Sequence, residues 1–461
     1  MSVSTPHPDY AVFSADWQVM RDAIEGADAV RKRGTDYLPM PSGFKAQTDG
    51  GRAMYAAYQT RAQFPDLLTP AIGAMVGVIH QSEFQISIPE SMDWLWESAT
   101  RDGMSLEAFH RRLTRELLEV GRYGLLVEAP EGGGDPYLAG YTAEAIINWS
   151  PERDMFVLDE SGRVRDGFSW KDEKRFRALL LENGRYIQQT YTGDNADRGE
   201  DVNPTARGNK GLDEIPFVVM SARDVMVEPE RPPLIGVARS ALAIYRLDAD
   251  YRHQLFNSGQ ETLVIINGDA PAAVGSGAVI VMEGAEGKNP NAFYVGPSGT
   301  GIGAHKQAIE DDRIAAGKAG AQLFDDTSRA QESGEARKLR FGAETASLIS
   351  IAQASASGLE KALRFVARMI GASEDEVVVK PPANLLTTPM SPQDIAAITQ
   401  AWKDGVLSYE TIYSVLQRGQ VASIERDAEQ ELALIDDEGA RLEAEMEAAM
   451  PPPRNPAMPV T

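Results

Sequence analysis

The chain has 461 residues, no cysteine and a formal net charge of −23, with 43% hydrophobic and 25% charged residues. That length exceeds one ordinary hydrophobic core and implies two or more lobes of a globular protein. The composition excludes disulfides, thiolate zinc sites and cysteine nucleophiles, and it leaves no basic footprint with which to grip DNA by bulk charge.

Acidity of this size keeps a protein soluble, or keeps a surface from adhering to a polyanion passing close by. No run of about 18 apolar residues is present, so no membrane span is expected. The opening MSVSTPHPDY lacks a basic segment followed by an apolar one, so no secretory signal is expected.

In chain order, DWQVMRDAIEGADAVRKRG predicts a helix over 16–34 closed by Gly34, followed by a Pro/Gly-rich link over 35–48. Helices are predicted over 51–63 and 67–80, the second capped by Asp66. MSLEAFHRRLTRELLEVG (104–121) is amphipathic, with Ser105 at the cap and Leu106, Phe109, Leu113 and Leu117/Leu118 on one face. From Tyr123 to about Met220 the period changes. GLLVEA, MFVLDE, YIQQTYTG and IPFVVM read as strands of an antiparallel region, with a polar excursion near 194–212.

A proline cluster, PERPPL (229–234), precedes a helix over 236–260 with Leu242, Tyr245, Ala249, Arg252 and Phe256 near one stripe. A small β unit follows, with strands over 261–268, 278–284 and 292–297, and then a helix over about 303–324. SRAQESGEARKLRFGAETASL (328–348) begins as a polar loop with no large apolar residue between Thr327 and Lys338. It turns into the longest helix, 343–371, where Leu348, Ala352, Ser355, Leu359, Leu363, Val366 and Ile370 step by three and four. After a Pro-rich link (380–392) come helices in SPQDIAAITQAWKDG and LSYETIYSVLQRG, an acidic helix over 425–447 and the tail PPPRNPAMPVT, which reads as disordered.

Signals for catalysis are sparse. The five histidines (His7, His80, His110, His253, His305) have no paired metal-ligand spacing and read as structural. GAEGKN (284–289) is not a phosphate-cradling loop. GTGIGA (299–304) fits a dinucleotide fingerprint only formally, because the helix after it leads into a polar loop rather than a second parallel strand. Asp248 and Asp250 point to different sides of a helix and make a poor metal pair, and TGDNADRGED reads as a solvated turn. No cofactor is expected.

The order of helix, small β unit, helix, polar loop and long helix carries a more specific signal. PPLIGVARSALAIYRLDADYRHQLFNSGQETLVIING (232–268) resembles the segment of tailed-bacteriophage portal proteins that forms a stem helix and enters the clip. SGEARKLRFGAETASLISIAQASASGLEKALRFVARMIG (333–371) is similar to their tunnel loop and long kinked helix. YTAEAIINW (141–149) and SPQDIAAITQAWKDGVLSYETIYSVLQRG (391–419) are similar to wing and C-terminal segments.

The resemblance covers most of residues 15–420, and it implies an α+β portal-type fold. Its parts would be a helical and antiparallel-β wing (1–235), stem helix 1 (236–260), a clip (261–299), stem helix 2 (300–324), a tunnel loop (325–342), a long wing helix with its link (343–390), crown-like helices (391–449) and a disordered tail (450–461). It further implies a homo-oligomeric ring of about twelve copies at one capsid vertex, assembled in the host cytoplasm and contained in the virion. That ring would conduct double-stranded DNA non-specifically in packaging and ejection. It would contact the major capsid protein and dock the terminase large subunit and tail adaptor proteins, with no membrane and no catalysis of its own.

Within that frame an acidic channel wall repels phosphate, so basic contacts are local and few. The candidates are Lys306, Arg313 and Lys318 on the second stem helix and Arg329, Arg337, Lys338 and Arg340 around the loop. The competing expectation pairs these charges with Asp325, Asp326, Glu332 and Glu335 of the same or the next subunit. Glu283, Glu286 and Lys288 are the clip candidates for docking partners. Two other readings stay open: a different oligomeric capsid or scaffold component, and an enzyme with its site in the 123–220 β region.

Overall fold

The structure is a computed structural model. It describes residues 2–449 apart from 82, 130–133, 208–209, 260–261, 272, 275–280, 283–286, 288, 297–300, 318–333, 383–391, 419–420 and 424–425. For residues 262, 334–347, 392–394, 418 and 442–449 it describes the backbone only. The fold is α+β, with all sheets antiparallel, and it divides into two compact units, 1–382 and 383–461.

The first unit opens with helices α1 (Tyr10–Glu25), α2 (Ala27–Lys32), α3 (Asp49–Arg61) and α4 (Leu68–Ile79). One helix was expected over 16–34, but the chain breaks at Gly26, whose φ of +99° a residue with a side chain rarely adopts. Thr48 caps α3 by accepting the Gly51 N–H at 3.0 Å, and Asp66 accepts the Thr69 N–H at 3.1 Å at the start of α4, as its position in the sequence suggests. Strand β1 (Gln85–Ser87), the short α5 (Trp94–Glu97) and α6 (Leu106–Glu119) follow. Ser105 Oγ accepts the Ala108 N–H at 3.3 Å, and α6 buries Leu106, Phe109, Leu113, Leu117 and Leu118.

The β region comprises β2 (Arg122–Glu128), β3 (Tyr137–Thr142), β4 (Ile146–Trp149), β5 (Met155–Asp159), β6 (Gly162–Asp166), β7 (Ser169–Glu173), β8 (Arg175–Glu182), β9 (Arg185–Thr192), β10 (Asp197–Val202), β11 (Thr205–Ala206), β12 (Lys210–Gly211) and β13 (Phe217–Ser221). Two sheets dominate, one of order β10-β9-β8-β5-β4 and one of order β13-β2-β3; among the described residues β6 pairs only with β7, and β11 only with β12. The central strand β2 is buried from Arg122 to Val127, because β13 and β3 flank it and α6 and α9 lie against it.

After the proline cluster come α7 (Ile235–Ser258), β14 (Thr262–Ile266), β15 (Asn291–Val295), α8 (Gly301–Ala316), α9 (Gly334–Ile370) and β16 (Val378–Lys380), which pairs with β1. The middle strand expected at 278–284 lies mostly outside the described residues. The long helix differs from the sequence reading, which placed its start at 343 after a loop over 325–342. It begins at Gly334, because Ala336, Arg337, Lys338, Leu339 and Arg340 are good helix formers whatever their polarity. The second unit holds α10 (Pro392–Lys403), α11 (Tyr409–Arg418) and α12 (Ala428–Ala449); buried Tyr413 donates its hydroxyl to Ser423 O at 3.2 Å or Arg426 O at 3.3 Å.

Close packing sets a testable requirement in the three-stranded sheet. A Cβ at Gly140 of β3 would stand 2.0 Å from the hydroxyl of Tyr123, a fully buried side chain of β2. Gly140→Ala is expected to destabilise the protein by about 1–3 kcal/mol through overpacking. A lower urea midpoint at unchanged slope is the expected reading, and an unchanged midpoint rejects it.

Candidate functional site: the helix pair and its charged face

Helix α7 has 24 residues, and at 1.5 Å per residue it spans about 36 Å. From its start to Ala249 it buries Val237, Ala238, Ala241, Leu242, Ile244, Tyr245 and Ala249, packing against α1 and α3. Its second half is more open, with Leu255 and Phe256 exposed and the Arg61 guanidinium 3.8 Å from the centre of the Phe256 ring. Beyond α7, β14 and β15 form an antiparallel pair with Leu263 opposite Tyr294 and Ile265 opposite Ala292. The chain then returns as α8. Its first residue, Gly301, lies beside Gln254 near the end of α7, where a Cβ would come within 3.0 Å of the amide oxygen. The two helices therefore run antiparallel and packed together.

Asp248 and Asp250 are held apart on α7, as their spacing suggests. Asp248 accepts from Arg252 Nε and from Gln63 N, both at 2.7 Å, and Asp250 accepts from the Tyr58 hydroxyl at 2.6 Å. Among the described residues no cluster of three or more His, Asp or Glu side chains could hold a metal.

Of the seven expected cationic contacts, the structure places two side chains. Lys306 and Arg313 are exposed, and seven residues apart they share one face of α8. Glu310, Asp311 and Asp312 sit between them, and Gln307 Nε2 donates to Asp311 at 2.9 Å, so this stretch of α8 is slightly acidic. Arg337, Lys338 and Arg340 are helical residues in the first turns of α9, not loop residues as expected. Lys318, Arg329 and the proposed acidic partners Asp325, Asp326 and Glu332 lie outside the described residues, as do Glu283, Glu286 and Lys288.

The β region carries its own cluster of charges, in which the carboxylates have partners. Arg177 of β8 pairs with Glu128 of β2, and its Nε lies 2.9 Å from Glu160. The hydroxyls of Tyr137 and Tyr141 donate to Glu128 and Glu160 at 2.6 and 2.7 Å. This arrangement ties the two large sheets together. Beside it, a cleft of about 320 Å³ is lined by Thr100, Arg101, Asp102, Arg112, Glu128 and Tyr137.

Residues 233–370, from the proline cluster through α9, match the protein family described as "Domain of unknown function (DUF4055)". No curated protein matches the chain. Among solved structures, the chain is similar to one described as "Neck of empty GTA particle computed with C6 symmetry", at 13% identity over 77% of this chain and 90% of that one, with a TM-score of 0.42. It is similar to another, "Neck of native GTA particle computed with C12 symmetry", at 14% identity over 79% and 93%, with a TM-score of 0.38. A third, "Virion of native gene transfer agent (GTA) particle", has 14% identity over 83% and 99%, with a TM-score of 0.42.

Two histidines missed as partners meet where α4, α6 and α9 converge. Their ring centres lie 5.1 Å apart. Ser355 and Thr114 donate their hydroxyl protons to Ala352 O and His110 O. His110 and His80 therefore carry the proton on Nε2 and donate to Ser355 Oγ at 3.2 Å and Thr114 Oγ1 at 3.0 Å. Burial, with Arg111 nearby, pushes the His80 pKa down to about 4. Burial, with His80 adjacent, pushes that of His110 down to about 3.

The unfolded chain therefore takes up these protons first as pH falls. The stability from the neutral pair is complete above about 6.5 and is lost progressively toward pH 3–4. Between pH 6 and 5, His110 is expected to lower unfolding free energy by up to about 1.4 kcal/mol per pH unit. Urea titrations of the parent and His110→Gln over this window should show a flatter profile for the variant; parallel profiles reject the assignment.

Proposed function

We propose that this chain is a portal, or head-to-tail connector, subunit of a tailed-bacteriophage-like particle. The observation that carries the reading is the order and pairing of four consecutive elements: α7, the β14–β15 hairpin, α8 folded back along α7, and the long helix α9. In this reading α7 and α8 are the stem beside a DNA channel, with residues 236–260 and 300–324 as its two legs. Residues 261–299 form the clip, residues 1–235 and 343–390 the wing, and 391–449 the crown. The tunnel segment 325–342 has its second half continuous with α9. About twelve copies form the ring at a capsid vertex. Double-stranded DNA passes through it, and the major capsid protein, the terminase large subunit and tail adaptors are its partners.

The charge distribution supports this reading physically. A chain of −23 lines a passage that phosphate does not adhere to, and sparse cations among carboxylates, as on α8, make weak contacts that DNA can slide across. Lys318, Arg329, Arg337, Lys338 and Arg340 are proposed as the further contacts, and Glu283, Glu286 and Lys288 as the docking rim of the clip. No reaction is proposed for the chain; ATP hydrolysis belongs to the motor that docks on it.

Native mass spectrometry with negative-stain imaging tests the reading. Closed rings of about twelve copies with a hole that admits duplex DNA are expected; a stable dimer or tetramer without a channel rejects it. Lys306→Ala with Arg313→Ala is expected to leave ring assembly intact. The salt slope of ring–DNA association should fall by about one for each phosphate that the variant no longer neutralises. An unchanged slope removes α8 from the DNA-facing surface.

A further inference from the structure

Strands β5 and β8 pair with each other, yet between them the chain leaves the sheet as the hairpin β6–β7. Every residue from Ser161 to Asp172 is exposed. Five residues per strand carry the hairpin roughly 17 Å out. A two-stranded ribbon that covers no core is marginal in water alone. This one nevertheless presents Phe168 at its tip, 102% exposed, and Trp170, 65% exposed.

Local bonds fix the turn: Gly167 takes a φ of +62°, Arg165 Nε donates to Gly167 O at 2.7 Å, and Ser169 Oγ donates to Asp166 O at 2.9 Å. The register places Arg163, Arg165, Asp172 and Trp170 on one face and Val164 and Lys171 on the other. Exposed Trp and Arg side chains beside a Phe tip are the residue types that anchor protein interfaces.

We propose that this hairpin is an arm that docks on a second copy of the same chain; the proposal deepens the ring reading above and rests on it. Charge selects the occupant. The hairpin balances Arg163, Arg165 and Lys171 against Asp166, Asp172 and Glu173, so the chain's −23 resides outside it. On the arm face carrying both arginines Asp172 lies 3.7 Å from Arg163, which leaves Arg165 as the cationic excess, and a second copy offers an acidic surface that matches it. The edge strand β10, which among the described residues pairs with β9 alone, is one such surface, exposed throughout, with Asp197, Glu200 and Asp201 against Arg198. DNA fits the arm less well, because its own carboxylates and the acidic chain behind it repel a polyanion. An arm that reaches from each copy to a different surface of the next is a head-to-tail contact, the kind that closes into rings.

The test uses the whole chain with Phe168→p-benzoyl-Phe as a photo-cross-linker, mapped by mass spectrometry, beside native mass spectrometry of Phe168→Ser/Trp170→Ser. Both positions are exposed, so the variants should unfold at the parent's temperature. Cross-links between copies are expected, with self-association weakened about tenfold or more in the double variant. Unchanged rings and no cross-link between copies overturn the arm and leave the ring reading standing. Cross-links between copies in an oligomer that is not a ring uphold the arm and overturn the ring reading. A parent that stays monomeric without cross-links overturns both. Cross-linking to DNA or to a different protein instead of a second copy overturns the arm.

Discussion

The long helix α9 approaches its neighbours closely, and the arrangement of the first unit depends on that approach. Its inward face is built of small residues, with Ala352, Ala354, Ser355, Ala356, Ala362 and Ala367 buried between Leu359, Leu363 and Val366. A Cβ on Gly358 would come within 2.4 Å of the Met220 side chain of β13, so the helix backbone lies almost on the sheet. At interior packing density such a seat leaves no room for sliding. Glu360 accepts the Val379 N–H at 2.8 Å and ties β16 to the helix, while Met369 O accepts the Arg207 N–H at 2.7 Å. From α9 the packing passes through α4 to α1, and from α1 to α7. The direction of the α7–α8 pair is thus fixed at its root by a core that α9 closes.

The acidity of the chain has a structural counterpart in where its arginines go. Arg21 gathers Glu116, Glu119 and Glu144 at 2.7–2.8 Å, joining α1 to α6 and to the turn before β4. Burial pushes the Glu144 carboxyl upward, but hydrogen bonds from Arg21 outweigh it and hold the group below its usual value. Arg122 is fully buried, with no carboxylate in ion-pair contact among the described residues. It donates to Val227 O at 3.0 Å, and its guanidinium lies 4.1 Å from the Trp149 ring centre. Burial lowers its pKa to about 9, which still leaves it charged at neutral pH. Each inward cation is shared among several acceptors, and since Arg21 alone serves three carboxylates, the acid surplus of the chain extends into its partly buried clusters.

Much of this fold was legible because its signals are local. Ser105 and Asp66 announce helix starts through the side-chain oxygen that a free N–H needs, and α6 shows its buried stripe at three- and four-residue spacing. What the sequence hid depends on partners or on backbone geometry. Gly26 looks tolerable inside a helix until its φ is known. The segment from Arg337 to Arg340 reads as a loop if polarity is weighed above helix propensity. Strand β8 alternates imperfectly because Arg177 enters the interior to pair with Glu128 and Glu160, whose positions lie 49 and 17 residues away. The pairing of His80 with His110 needs the crossing of two helices, which spacing along the chain cannot supply. At the candidate site, the two helices α7 and α8 were readable, but not how they face one another.

The exposed apolar surface of the helix pair has a physical meaning of its own. The root of α7 is buried by its own chain, whereas its far end and the hairpin beyond it expose Leu255, Phe256, Ile266, Phe293, Tyr294 and Val295, and α8 exposes Ile314. Within one chain, Arg61 over Phe256 is the cation–π cover this surface receives among the described residues. Exposed apolar side chains gathered on one projecting element mark surfaces that associate. On α8 the exposed Ile314 lies between Glu310 and Asp311, which precede it by four and three residues, so apolar and acidic side chains share that side of the helix. In the proposed ring these two kinds of side chain would meet two requirements. The apolar ones would cohere with neighbouring subunits through burial, which salt does not screen. The carboxylates would keep the passage free of strong contacts through electrostatics, which salt and the cations on α8 adjust.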